Sequence, residues 1–182
     1  MTQIFRLRCW RDFRRAFLLI PLFVGLATGA AAPAYATGKG ASGLPLPRYV
    51  SLKSSRVNMR IGPGRAYQVQ WLYLRRGLPM EITQEYGNWR KVRDSEGIEG
   101  WVLHSLLSGK RTAIVSPWSE NDGMVEMRAE PMGSAPVAAK LQPGVIGSVI
   151  ECTGNWCQLT TDGIEGYVDR NHLWGVYPDE SF

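Results

Sequence analysis

Chemically reactive side chains are scarce in this sequence: its 182 residues include two histidines and three cysteines. His104, His172 and the cysteines lack the paired spacing of a zinc site. A catalytic cysteine would need a base and an orienting partner, which the two histidines do not supply. There is no glycine-rich phosphate loop and no dinucleotide fingerprint, and no stretch carries the period of a long helix. The apolar run AFLLIPLFVGLATGA at 16–30 is too short, and too broken by Pro21 and Gly25, for a membrane span, where roughly 20 apolar residues are wanted. Catalytic residues, metal ligands and cofactors are therefore all read as none, and the chain as a non-enzyme.

Net charge is also scarcer than the formal +5 indicates. Arg6, Arg8, Arg11, Arg14 and Arg15 stand against Asp12 alone in residues 1–36 and supply +4 of it. Those arginines, the apolar run and the small-residue stretch AAPAYA form the three-part layout of a secretory signal peptide, with cleavage expected after Ala36. The remainder carries only +1, which removes the main support for a nucleic-acid partner. The mature protein is expected to be exported, periplasmic or extracellular, with no stable transmembrane segment. Cys9 leaves with the leader, so Cys152 and Cys157 remain in a disulfide-permissive compartment.

What the sequence does contain is a repeat. GNWRKVRDSEGIEGWV at 87–102 returns as GNWCQLTTDGIEGYV at 154–168. The offset is 67 at Gly87, Asn88 and Trp89, 66 at Gly97 to Gly100, and 68 between Arg60 and Arg128, so each change falls in a presumed loop. Residues 49–110 and 111–178 are read as two copies of one small domain, each near the lower size limit for its own core. Before them, TGKGASGLPLPR at 37–48 reads as a flexible, poorly ordered linker. Each copy consists of short apolar or alternating runs cut by turn residues, which predicts all-β structure. At about 60 residues and roughly five strands apiece, a small partly open barrel is the economical architecture.

VNMRIGPG at 57–64, the following Gly-Asn-Trp and the closing Gly97-x-x-Gly100-Trp101-Val102 resemble the bacterial SH3-like (SH3b) domain, a family of extracytoplasmic modules often repeated in tandem or attached to cell-wall enzymes. The resemblance covers nearly all of 49–174. The second copy keeps Arg128 but has Ala129-Glu130-Pro131 for the Gly-Pro-Gly and Tyr167 for the tryptophan. The resemblance implies two SH3-like β-barrels in tandem. It also implies a binding role toward peptidoglycan or another cell-wall polymer or, as an adaptor, toward an envelope protein.

The Gly154-Asn155 pair fits a two-residue hairpin loop. Cys152 and Cys157 then face each other as a non-hydrogen-bonded pair with Cα atoms about 4.5 Å apart, within reach of a disulfide. Glu85 and Arg90 hold the same two positions in the first copy, an opposite-charge pair worth about 0.2–1 kcal/mol.

Trp101 and Tyr167, each followed by a valine, read as packing residues. For Trp89 and Trp156, just after tight turns, core and groove both stay open. Charge is split between the copies: 12 basic and 5 acidic residues in 37–110, 4 basic and 10 acidic in 111–182. Arg60, Arg65, Arg75, Arg76, Arg90, Lys91 and Arg93 thus point to an anionic polymer or acidic partner for the first copy. The residues taken forward as ligand contacts are Arg60, Tyr67, Arg75, Arg76, Trp89, Lys91 and Trp156.

Overall fold

The computed structural model describes residues 38–119 and 123–181, which fall in one compact unit, Tyr35–Phe182. The expected leader and its cleavage site lie outside the described residues. Among the described residues no helix is long and apolar enough to cross a membrane.

A short hairpin, β1 (Gly38–Lys39) with β2 (Pro45–Leu46), comes first. The first copy follows as β3 (Arg48–Leu52), β4 (Val57–Arg60), β5 (Val69–Tyr73), β6 (Pro79–Tyr86), β7 (Trp89–Arg93), β8 (Glu99–Leu103) and β9 (Leu107–Ser108). The second repeats it as β10 (Thr112–Val115), β11 (Val125–Arg128), β12 (Val137–Leu141), β13 (Ile146–Thr153), β14 (Trp156–Thr161), β15 (Ile164–Asp169) and β16 (Leu173–Trp174). The sheet orders, β5-β4-β8-β7-β6-β3-β9 and β12-β11-β15-β14-β13-β10-β16, agree strand for strand. The fold is all-β, two small SH3-like barrels in tandem. Each sheet has seven strands where roughly five are expected; β9 and β16, only two residues long and each following a single 3-10 turn, are too short for periodicity to reveal and account for one of the two extra strands in each copy.

Alternation builds the two cores. Val57, Met59, Val92 and Val102 are completely buried in the first, and Met127, Leu159 and Val168 in the second. Full burial of a Val, Leu or Met side chain contributes about 1.5–3 kcal/mol each. Where β8 crosses β4 only glycine fits: a Cβ on Gly100 would lie 2.6 Å from Met59 Cγ and 2.9 Å from the Arg60 carbonyl oxygen. Gly166 stands in the same relation to Met127 and Arg128. At both tight hairpins the first loop glycine takes positive φ, +50° at Gly87 and +55° at Gly154, as a two-residue turn of this kind requires.

The expected hairpin ties are present. Cys152 and Cys157 pair across β13 and β14 as a disulfide with Cα atoms 4.1 Å apart, and both are buried. Glu85 faces Arg90 across β6 and β7, with Arg90 Nε 3.2 Å from Glu85 Oε1. That carboxylate does more than the sequence foretold. It also accepts from Arg48 at 2.8 Å and from the Ser42 amide and hydroxyl at 2.7 Å each. Residues 38–48 are therefore not the poorly ordered linker that composition predicts. They form a hairpin pinned over the barrel end by one buried carboxylate, and a Cβ on Gly40 would sit 2.6 Å from that group.

The two barrels pack against each other through rings and main-chain polar groups. Tyr49 meets Trp174 edge-on, centroids 5.1 Å apart, and Tyr177 at 4.6 Å, with the Arg111 guanidinium 5.6 Å from its ring centre. Thr112 Oγ1 donates to the Gly77 carbonyl at 2.7 Å and Arg75 to the Gly144 carbonyl at 2.9 Å. The C-terminal tail, 175–181, clamps this joint. Arg170 donates to the carbonyls of Tyr177 and Glu180, at 3.1 and 2.8 Å, and to that of Pro178. Tyr177 then donates its hydroxyl to Glu81 of the first barrel at 3.0 Å. Burial first, then the charge and hydrogen bond of Glu81, raise the Tyr177 phenol well above its ordinary range.

Candidate functional site

Directly paired residues in an antiparallel sheet project to the same face, so the register defines what each barrel presents outward. In the first barrel Val69 pairs with Arg60, Arg60 with Trp101, Trp101 with Lys91 and Lys91 with Gln84. A second row, Tyr86–Trp89–Leu103, runs beside it. Trp101 is half-buried between Arg60 and Lys91, on the opposite side of the sheet from the buried Val102. This corrects its reading as a packing residue: in a period-two strand, the neighbour of a core valine must face out. The same holds for Tyr167 beside Val168.

The sequence-derived site residues fall into three groups. Arg60, Lys91 and Trp89 come together on this face, with Trp101 at its centre. Arg60 is held by donation to the Tyr67 carbonyl at 2.6 Å, and the exposed Tyr67 ring lies over Gly62 in the turn between β4 and β5. Lys91 pairs with Glu99 at 2.6 Å, both partly exposed. Arg75 and Arg76 lie elsewhere, in the β5–β6 turn, with Arg75 engaged on the second barrel. Trp156 is the counterpart of Trp89 in the second copy.

Of the other cations, Arg90 is tied to Glu85, and Arg93 donates to buried Glu81 through Nε at 2.9 Å. Lys53, Arg56, Arg65 and Arg76 have no ion-pair partner among the described residues. The ion pairs described above each join residues of one barrel.

In the second barrel the equivalent outer row is Val137–Arg128–Tyr167–Gln158–Glu151. Arg128 keeps the turn-holding role, donating to the Ala135 carbonyl at 2.6 Å, but also pairs with Glu126. Tyr167 donates to Glu151 at 3.4 Å. Positions occupied by Tyr67 and Trp71 in the first copy are Ala135 and Ala139 here. The second barrel also has an open cleft of about 910 Å³. Trp156 and Asp169, paired across β14 and β15, line it together with Glu126, Trp118 and His172.

Ser116 Oγ lies 3.5 Å from His172 Nδ1 in this cleft wall, but Ser116 is buried, and Asp169 Oδ1 accepts from the Asn171 amide at 2.9 Å. No base-and-orienter relay is assembled there. Among the described residues no group of three or more His, Cys, Asp or Glu is placed to hold a metal ion.

The chain is 24% identical over 166 residues to YrvJ of Bacillus subtilis (strain 168), a protein whose name describes a candidate N-acetylmuramoyl-L-alanine amidase. The match covers 88% of this chain but only 30% of that relative's length. Two solved structures, NlpC2 and NlpC1 from Trichomonas vaginalis, align at 10% and 11% identity. They cover 70% and 80% of this chain and 48% and 51% of theirs, each with a TM-score of 0.32. The model of the bacterial SH3 domain matches twice, at residues 53–109 and 121–175. Those two matches fall on the two barrels and together cover more than half of the chain, which belongs to the bacterial SH3 domain family.

Proposed function

We propose that this is an exported, non-catalytic binding protein of the cell envelope, whose first barrel holds an anionic cell-wall polymer, peptidoglycan being the leading ligand class. The observation carrying this is the contrast between equivalent rows: Arg60–Trp101–Lys91 on the first barrel against Arg128–Tyr167–Gln158, ending on Glu151, on the second. An indole between two cations offers a flat apolar platform for a sugar or peptide backbone and a positive field for carboxylates. Arg65, in the turn between β4 and β5 and without an ion-pair partner among the described residues, extends that field. Likeness to a protein named for N-acetylmuramoyl-L-alanine chemistry supports the same compartment and polymer.

The purified chain incubated with sacculi should sediment with them at low salt and be released toward physiological salt, since exposed charges are screened beyond about 8–10 Å there. It should liberate no amines or reducing ends. A second reading, an adaptor for an envelope protein, draws on the strongly exposed Ile61, Leu74 and Tyr86 of the first barrel. Failure to sediment, with co-purification of one envelope protein, would favour it.

A further inference from the structure

Three differences between the copies meet at one place in the second barrel. The connection from β10 to β11 has nine residues, 116–124, where that from β3 to β4 has four, 53–56, and it brings in Trp118. Leu103, the partner of Trp89, becomes Asp169, the partner of Trp156. Asn58 becomes Glu126. Independent drift would scatter such changes; here Trp118, Asp169 and Glu126 all line the 910 Å³ cleft. The first barrel has a neutral polar residue and a leucine where the cleft has two carboxylates.

The geometry points to this cleft as a binding site for a peptide presenting a primary ammonium on a flexible side chain, distinct from the cationic face of the first barrel. An ammonium is attracted both to carboxylates and to the faces of indole rings, and the cleft supplies Asp169 and Glu126 with Trp118 and Trp156. Arg128 already pairs with Glu126, which leaves Asp169 as the primary anchor. One Asp169 oxygen accepts from the Asn171 amide, and its Oδ2 has no partner among the described residues. Trp118 is 57% exposed, a large apolar surface left uncovered at the cleft. The surplus of acidic residues in the second half favours the same charge sign. The inference shares with the proposed function the assignment to binding but not its ligand charge, so each can fail alone.

The test uses the full chain and two blocked tripeptides, Ala-Lys-Ala and the same peptide with its lysine ε-acetylated, titrated by NMR. The free amine should shift resonances of Trp118, Trp156 and Asp169. Acetylation should weaken binding about tenfold or more, as should Asp169→Asn, which keeps the acceptor for Asn171. Trp118→Ala should weaken it comparably, and Trp89→Ala in the first barrel should leave it unchanged. Equal binding of both peptides, shifts confined to the first barrel, or an amino-sugar oligomer binding where the free tripeptide does not would each overturn the proposal. Sedimentation with sacculi but no peptide binding overturns the cleft and spares the envelope reading; peptide binding without sedimentation does the reverse.

Discussion

At the end of the β6–β7 hairpin the first barrel buries a carboxylate between two arginines; at the same place on β13 and β14 the second has a disulfide. Both copies tie that hairpin, by different chemistry, and each chemistry brings its own dependence on surroundings. Glu85 also anchors the amino-terminal hairpin, which a disulfide cannot do. The same freedom shows on the outer faces, where one strand order supports a cationic aromatic row in one copy and an acidic cleft in the other.

Glu85→Ala is expected to have the largest effect, because it leaves Arg48 and Arg90 without their carboxylate and releases the Ser42 turn. A loss of about 3–4 kcal/mol is expected from denaturant unfolding. Acid should do the same more gently. Burial alone would raise the Glu85 carboxyl, but hydrogen bonds from Ser42 and Arg48 and the charge of Arg90 outweigh it and lower it to about 2. A depressed folded value means the contribution is complete above the unfolded carboxylate value of about 4.3 and is lost as pH falls through about 2. Amides of the first barrel's hairpin should therefore lose exchange protection in that window while those beside Cys152 and Cys157 keep theirs.

Arg170 and His104 occupy equivalent places after β15 and β8, and both backbone amides donate to the opposite turn, at the Asn155 and Asn88 carbonyls. Only Arg170 clamps the tail. Arg170→Ala should cost about 2–3 kcal/mol through the lost carbonyl partners, and His104→Ala should stay within about 0.5 kcal/mol, by thermal unfolding. Fluorescence should show Trp174 and its Tyr49 neighbour loosened only in the first variant.

Reducing the disulfide, or replacing both cysteines by alanine, should cost about 2 kcal/mol, the low end for so short a loop. If the proposed export removes residues 1–36, the mature protein should show no free thiol before reduction and two after it. Acid sensitivity in the second hairpin, or indifference of that hairpin to reductant, would break the comparison.

The repeat, the longer strands and both hairpin ties, the disulfide among them, were legible because they rest on local patterns: period-two alternation, turn glycines and cross-strand counting from a two-residue loop. Trp101 and Tyr167 were misassigned although the signal was there, since alternation beside Val102 and Val168 already turns them outward. The order of 38–48 was not legible, because it depends on a carboxylate some forty residues away. Nor was the joint between barrels, which assembles Tyr49, Glu81, Gly77, Thr112, Trp174 and Tyr177 from segments with no shared motif. That joint also decides how the charge split must be tested: each barrel covers part of the other, so substitutions in the intact chain are informative where isolated halves would expose Tyr49 and Glu81.

The division of roles between the two outer faces is tested most directly by sedimentation of three full-length proteins with sacculi across a salt series: the parent chain, Lys91→Gln with Trp101→Ala, and Gln158→Ala with Tyr167→Ala. The first-barrel pair should bind about tenfold more weakly than the parent and with a shallower salt dependence, while the second-barrel pair should match the parent within about twofold. Equal losses from the two pairs, or parental binding by the first-barrel pair, would contradict the assignment of polymer binding to the cationic aromatic face.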